Sequence, residues 1–176
     1  QFTQLIARRV REEGVFCQII AYNKVDEYLL NNQPKAIILS GGPSSVIGIK
    51  TPRISEKIIN LNIPILGICY GQQVMVKQLG GEVVSSETSE FGRAKVKIVK
   101  SCSLTNNIWK EGNEYKVWMS HGDAVEKIPK GFYVVAKSEG AAFAVIANEK
   151  KKLYGVQFHP EVIHTPDGKK LINNFV

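Results

Sequence analysis

The stretch "IPILGICYGQQVMVKQLGG" covers residues 63 to 81, and its punctuation decides the fold. Residues 63 to 69, "IPILGIC", are a compact apolar run of strand length, the pattern of a strand buried on both faces. Residues 71 to 79, "GQQVMVKQL", read as a helix, and Gly80-Gly81 stands where a helix closes. Between them lies Gly67-Ile68-Cys69-Tyr70-Gly71, a G-x-C-x-G turn from strand to helix. This has the form of a nucleophile elbow with a thiol in place of the hydroxyl. A sharp turn of this kind strains the backbone of its central residue and pushes that side chain outward. Glycine on either side avoids a clash. The positive end of the following helix faces the sulfur, a setting in which thiols are activated. The Tyr70 N–H is then placed to help hold an oxyanion.

The same alternation continues outward. Residues 3 to 13 put Leu5, Ile6 and Val10 at helical spacing, with Gly14 as a stop. "VFCQIIA" (15 to 21) reads as a strand, 25 to 31 as a short helix, "KAIILS" (35 to 40) as a strand, and "PRISEKIINL" (52 to 61) as a helix. Downstream, "AKVKIV", "YKVWMS", "FYVVAKS", "AFAVIAN" and "KLYGVQF" are strands with few helices between them, and a last helix starts near Gly168. The expected class is α/β: an open mixed, mainly parallel sheet flanked by helices. Residue Cys69 then lies at the carboxyl end of a strand, where open α/β sheets keep their sites.

The totals fit one domain. The chain has 176 residues, 44% hydrophobic and 22% charged. No apolar run approaches the ~18 residues of a membrane span. The opening residues carry Arg8, Arg9 and Arg11 and no long apolar stretch, so no secretory signal is expected. Cys17, Cys69 and Cys102 are an odd set without metal-like spacing, which points to reduced thiols and a cytoplasmic setting. The net charge is +7, but apart from Lys150-Lys151-Lys152 the lysines are scattered, and no aromatic and basic residues interleave. That favours a solvated surface or a docking face over a nucleic-acid interface.

A catalytic Cys needs a base, and the base needs an orienting group. The chain holds three His: His121, His159 and His164. "SHGD" sets Asp123 two residues after His121, and "FHPEV" sets Glu161 two residues after His159. In an extended segment both members of such a pair project to the same side. Pro160 biases His159 toward extended backbone, whereas Gly122 leaves the first pair looser. Spacing favours His159 and leaves His121 open. His164 reads as a surface or interface residue, Cys17 as core, and Cys102 has no catalytic context.

"GICYGQQ", "LSGGPSSV" and "GVQFHPEV", taken together and in this order, resemble a triad-type (class I) glutamine amidotransferase domain with a flavodoxin-like sheet. The resemblance implies Cys69 as nucleophile, His159 as base and Glu161 as orienting acid. It implies oxyanion donors at Gly42 and Tyr70. Gln73, Ser120 and His121 would hold the substrate, L-glutamine, and Asp123 would have a positioning role. "SGGPSSV", "EFGRA", "WMSHGD" and "HPEVIHTPDGKKLINNFV" resemble one branch of that family, whose ammonia aminates XMP to GMP. The resemblance further implies a strand ahead of Gln1, a dimer in the complete enzyme, and an ATP-pyrophosphatase (synthetase) domain outside this chain. That domain would use ATP and Mg; this one would need no cofactor. Other readings are an amidotransferase serving another synthetase (anthranilate, aminodeoxychorismate, CTP or carbamoyl phosphate), a cysteine peptidase or γ-glutamyl hydrolase, and a non-catalytic subunit.

Overall fold

The computed structural model describes residues 2–42, 45–47 and 53–176. Five helices are found among them: α1 (Thr3–Glu12), α2 (Val25–Leu29), α3 (Glu56–Ile59), α4 (Tyr70–Gln78) and α5 (Gly168–Phe175). The strands are β1 (Ile37–Leu39), β2 (Ile65–Ile68), β3 (Glu82–Ile98), β4 (Glu114–Lys127), β5 (Tyr133–Lys137), β6 (Val145–Asn148) and β7 (Leu153–Val156). They form one sheet in the order β1-β2-β7-β6-β5-β3-β4.

The sheet is mixed, but its parallel part is smaller than the sequence suggested. Among the described residues, only β1–β2 and β2–β7 pair in parallel; the other four pairings are antiparallel. Parallel neighbours need a crossover long enough to carry a helix, whereas antiparallel neighbours need only a turn. The first half supplies such crossovers. After residue 82 no α-helix separates the strands until α5, some connections are short, as between Asn148 and Leu153, and the strands fold back on one another. The longest pairing joins β3 and β4 from Lys97↔Glu114 to Glu82↔Lys127, with an irregularity between Ser85 and Glu90.

Two expected elements change. Residues 15 to 21 form no strand, and Phe16 is 83% exposed. A strand needs a ladder partner, and no pairing among the described residues includes this segment. Cys17, read as core, is correspondingly only half-buried. The helix expected over 52 to 61 shrinks to α3, with residue 52 outside the described set. The Ser55 side chain accepts the Lys57 N–H and caps it at Glu56.

The core is built from both halves. Leu66 and Ile68 of β2, Val156 of β7 and Val145 and Ala147 of β6 pack with Val96, Ile98, Val117 and Met119 of the long antiparallel pair. Strand β2 is buried at all four positions, as its unbroken apolar run predicts. Helix α4 follows it directly and is buried from Tyr70 to Val76, so the turn between them is clamped from both sides.

Candidate active site

Cys69 sits in that turn with φ 53° and ψ −108°. This is a left-handed backbone that a residue with a Cβ rarely adopts. Local bonds hold it there. The Cys69 N–H donates to Val156 O at 2.8 Å, extending the β2–β7 ladder, and its carbonyl accepts from Gln73 N at 3.2 Å inside α4. The flanking glycines are required by contact. A Cβ on Gly67 would lie 2.7 Å from Gln72 N, and a Cβ on Gly71 would overlap the Leu39 carbonyl of β1. The strain at Cys69 is therefore fixed by packing on three sides.

The tail of β7 carries the second part of the site. The His159 N–H donates to Trp118 O at 2.9 Å, which pins the residue to β4. Buried Thr165 closes a local ring: its hydroxyl donates to His159 O at 2.7 Å and accepts from Trp118 N at 3.0 Å. Nδ1 of His159 lies 2.7 Å from Glu161 Oε1, and the two residues are 2% and 1% exposed. The Arg9 Nε of α1 donates to Glu161 O at 3.0 Å, and the Phe2 ring meets the imidazole edge-on at 5.6 Å.

Burial alone would favour a neutral imidazole. It is outweighed by the neighbouring Cys69 sulfur and by the Glu161 carboxylate, so the His159 pKa is pushed up to about 9. The glycine loop after β1 covers the pair from above. A Cβ on Gly41 would come within 3.2 Å of His159 Cε1 and 3.4 Å of Cys69 Cβ. Gly42 follows in the same loop, and Tyr70 opens α4 on the other flank.

The remaining candidates gather around the sulfur. Cys69 Sγ donates to Ser120 O at 3.5 Å. Gln73 is buried, and its Nε2 donates to Asp123 O at 3.0 Å and to Gln157 Oε1 at 3.1 Å. The His121 ring is taken up elsewhere: Nδ1 donates to Asp123 O at 2.8 Å and Nε2 faces Glu90 Oε1 at 3.0 Å. Of the two histidines that spacing offered, His159 is thus the one placed against Cys69. His121 props the segment that carries Ser120 and Asp123. The Asp123 carboxylate accepts from the Ser45 hydroxyl. Exposed His164 rests on Trp118, with ring centroids 4.6 Å apart.

Sequence reasoning did not single out Gln157, Glu90, Thr165 or Arg9. Gln157 had one available signal, since it is the polar residue in the apolar run that delivers His159. Glu90 and Arg9 are joined to the site only by folding across many residues, and Thr165, though local to His159, reaches Trp118 in the same way.

A strained thiol beside an imidazole–carboxylate pair, at the carboxyl end of a buried strand, has the parts that cysteine-dependent acyl transfer requires. The comparisons narrow that class. The model for glutamine amidotransferase class-I matches residues 1–176. The chain belongs to this family. A curated relative from Rhizobium etli (strain CIAT 652), named GMP synthase [glutamine-hydrolyzing], is 54% identical over all of this chain and 34% of its own length. A relative of the same name from Nitrobacter hamburgensis is 51% identical over all of this chain and 33% of its own length. The chain thus spans about a third of the curated relatives it matches. Among solved structures, a protein from Thermoplasma acidophilum, provisionally named as one subunit of a GMP synthase, matches with TM-score 0.81 at 31% identity. That match covers 99% of this chain and 86% of the other. A glutamine amidotransferase from Thermotoga maritima shares the fold, with TM-score 0.70 at 20% identity over 99% of this chain and 89% of the other.

Proposed function

We propose that this domain hydrolyses L-glutamine to glutamate and ammonia, and that a synthetase partner uses the ammonia to aminate XMP to GMP. The observation that carries the first half is Cys69, held in a strained elbow against the His159–Glu161 pair. The names of the relatives support the second half.

In this reading the Cys69 thiolate attacks the side-chain carbonyl carbon of glutamine. The carbonyl π pair moves to oxygen, and that oxyanion is held by the backbone N–H groups of Gly42 and Tyr70. His159 gives its proton to the amide nitrogen. The C–N bond breaks, ammonia leaves and a thioester on Cys69 remains. Water then loses a proton to His159 and attacks the thioester, the C–S bond breaks, and glutamate leaves. Glu161 orients the imidazole and stabilises its cation. Gln73, with main-chain groups of Ser120 and His121, lines the place where the glutamine backbone would be held. ATP and magnesium are assigned to the synthetase part.

The test is glutamate release from glutamine by the complete protein, with and without XMP plus ATP. Strong stimulation by that pair is expected. Glutamine hydrolysis indifferent to the pair would assign the ammonia to another synthetase. Cys69→Ala is expected to lower glutamine-dependent synthesis by more than ~10⁴-fold while sparing synthesis driven by added ammonia. Persistent glutaminase activity in that variant would overturn the mechanism.

A further inference from the structure

The amide of Gln157 lies beside the nucleophile, and its orientation is dictated from a distance. Its Nε2 is 3.6 Å from Cys69 Sγ, and its Oε1 accepts from Gln73 Nε2. The chain of donors begins at the Asp123 carbonyl, which can only accept. Gln73 must therefore turn Nε2 toward that carbonyl, 3.0 Å away. The second proton of the same nitrogen goes to Gln157 Oε1. Gln157 is left with its Nε2 facing the sulfur, and no flipped arrangement satisfies all the partners. The Asp123 carbonyl is itself fixed by His121 Nδ1, and His121 is backed by Glu90, whose Oε1 also takes the Ser138 hydroxyl at 2.8 Å. Gln157, Gln73 and His121 are 1%, 3% and 4% exposed, so water does not compete for these bonds.

We propose that Gln157 is a catalytic residue that donates a hydrogen bond to the Cys69 sulfur whenever that sulfur carries negative charge, and that Gln73, Asp123, His121 and Glu90 set its direction. This rests on the nucleophile reading above. The sulfur is charged at two points of that reaction. One is the resting thiolate. The other is the last bond cleavage, when water has attacked the thioester and the C–S pair returns to sulfur. The Gln157 N–H meets the charge at both. The Ser120 carbonyl on the other flank can only accept, so it binds the thiol form and gives the thiolate nothing.

The experiment measures alkylation of Cys69 by iodoacetamide in the complete protein, read at the Cys69 peptide by mass spectrometry. The unsubstituted protein is compared with Gln157→Leu, which removes the donor, and with Gln157→Glu, which keeps the shape and turns an acceptor toward the sulfur. Near neutral pH, Gln157→Leu is expected to react roughly ten- to a hundredfold more slowly, the effect of one hydrogen bond to a charged group, and Gln157→Glu more slowly still. The differences should close above about pH 10, where thiols ionise unaided. A thermal melt of each variant checks folding. If the leucine variant does not fold, the near-isosteric glutamate variant decides alone. Rates equal to the unsubstituted protein at neutral pH would overturn the proposal. So would a slowing that persists undiminished at alkaline pH, because that reports access. If Cys69 of the unsubstituted protein reacts no faster than a cysteine in unfolded chain, the nucleophile reading falls and this proposal with it. That failure is distinguishable, because it appears before any substitution.

Discussion

The imidazole of His159 holds a proton that burial should take away. Two neighbours keep it there: the Cys69 sulfur and the Glu161 carboxylate 2.7 Å from Nδ1, which together move its pKa up to about 9 against the desolvation cost. The sign of the consequence follows. In the proposed mechanism the imidazolium, present below about 9, protonates the leaving nitrogen; above about 9 the proton is gone. Glutamine hydrolysis is expected to fall as pH rises through about 9, measured as a pH profile of kcat/KM. In Glu161→Gln the carboxylate's contribution is lost, so the falling limb should move to lower pH. A limb that stays in place would show that Glu161 does not act on the His159 charge. The linkage to stability has the same direction. The folded pKa lies above the ordinary value of 6.5, so the pair's contribution is complete below about 6.5 and is lost as pH climbs through about 9. At this scale the sequence showed the His–x–Glu spacing. It did not show that the His121 ring would be spent on Glu90, 31 positions away, because that contact exists only once β3 and β4 have paired.

The elbow is an element-scale object, and it was legible because it is local. A buried strand, a cysteine between two glycines and a helix lie within 19 consecutive residues, and each limits its neighbour sterically. Gly71 shows how tight the limit is, since any Cβ there meets the Leu39 backbone carbonyl on the adjacent strand. Backbone cannot rotate away as a side chain can, so β1 and α4 must separate. Gly71→Ala is expected to cost roughly 1–3 kcal/mol as overpacking, a fall in Tm of about 2–4 °C for each kcal/mol in a domain of this size. It should also lower glutamine hydrolysis, because the displaced strand leads into the Gly41-Gly42 loop over Cys69. Calorimetry together with the glutaminase rate checks both; an unchanged Tm would mean that the strand yields freely. Elements that depend on partners were less legible. "VFCQIIA" has the composition of a strand but no pairing among the described residues, and the helix expected over 52 to 61 begins only at Glu56, where Ser55 caps it through the Lys57 N–H.

For the whole molecule, the decisive fact is where the sheet changes from parallel to antiparallel. Strand β7 is the hinge of that change, parallel to β2 and antiparallel to β6. It is also the strand that runs on into Gln157, His159 and Glu161. Cys69 arrives at the end of β2 and His159 beyond the end of its direct neighbour, so the two residues are locked together by the register Ile68↔Val156 and by the Cys69 N–H bond to Val156 O. The sequence alternation announced a mixed sheet. It could not announce how the long β3–β4 pair would close over the site, since strand order depends on contacts far apart in the chain. This arrangement predicts a gradient of rigidity that follows distance from β7. Amides of β2, β6 and β7 lie in ladders buried at every position, and they should exchange with deuterium only on global unfolding. Residues 15 to 21 lie in no ladder and carry exposed Phe16 and Ile19. Their amides should exchange orders of magnitude faster, near the rate of local opening. Hydrogen exchange read by mass spectrometry on the complete protein tests this. Slow exchange across 15 to 21 would mean that the segment is held by a partner strand in the complete protein, and the sheet edge at β1 would then have to be redrawn.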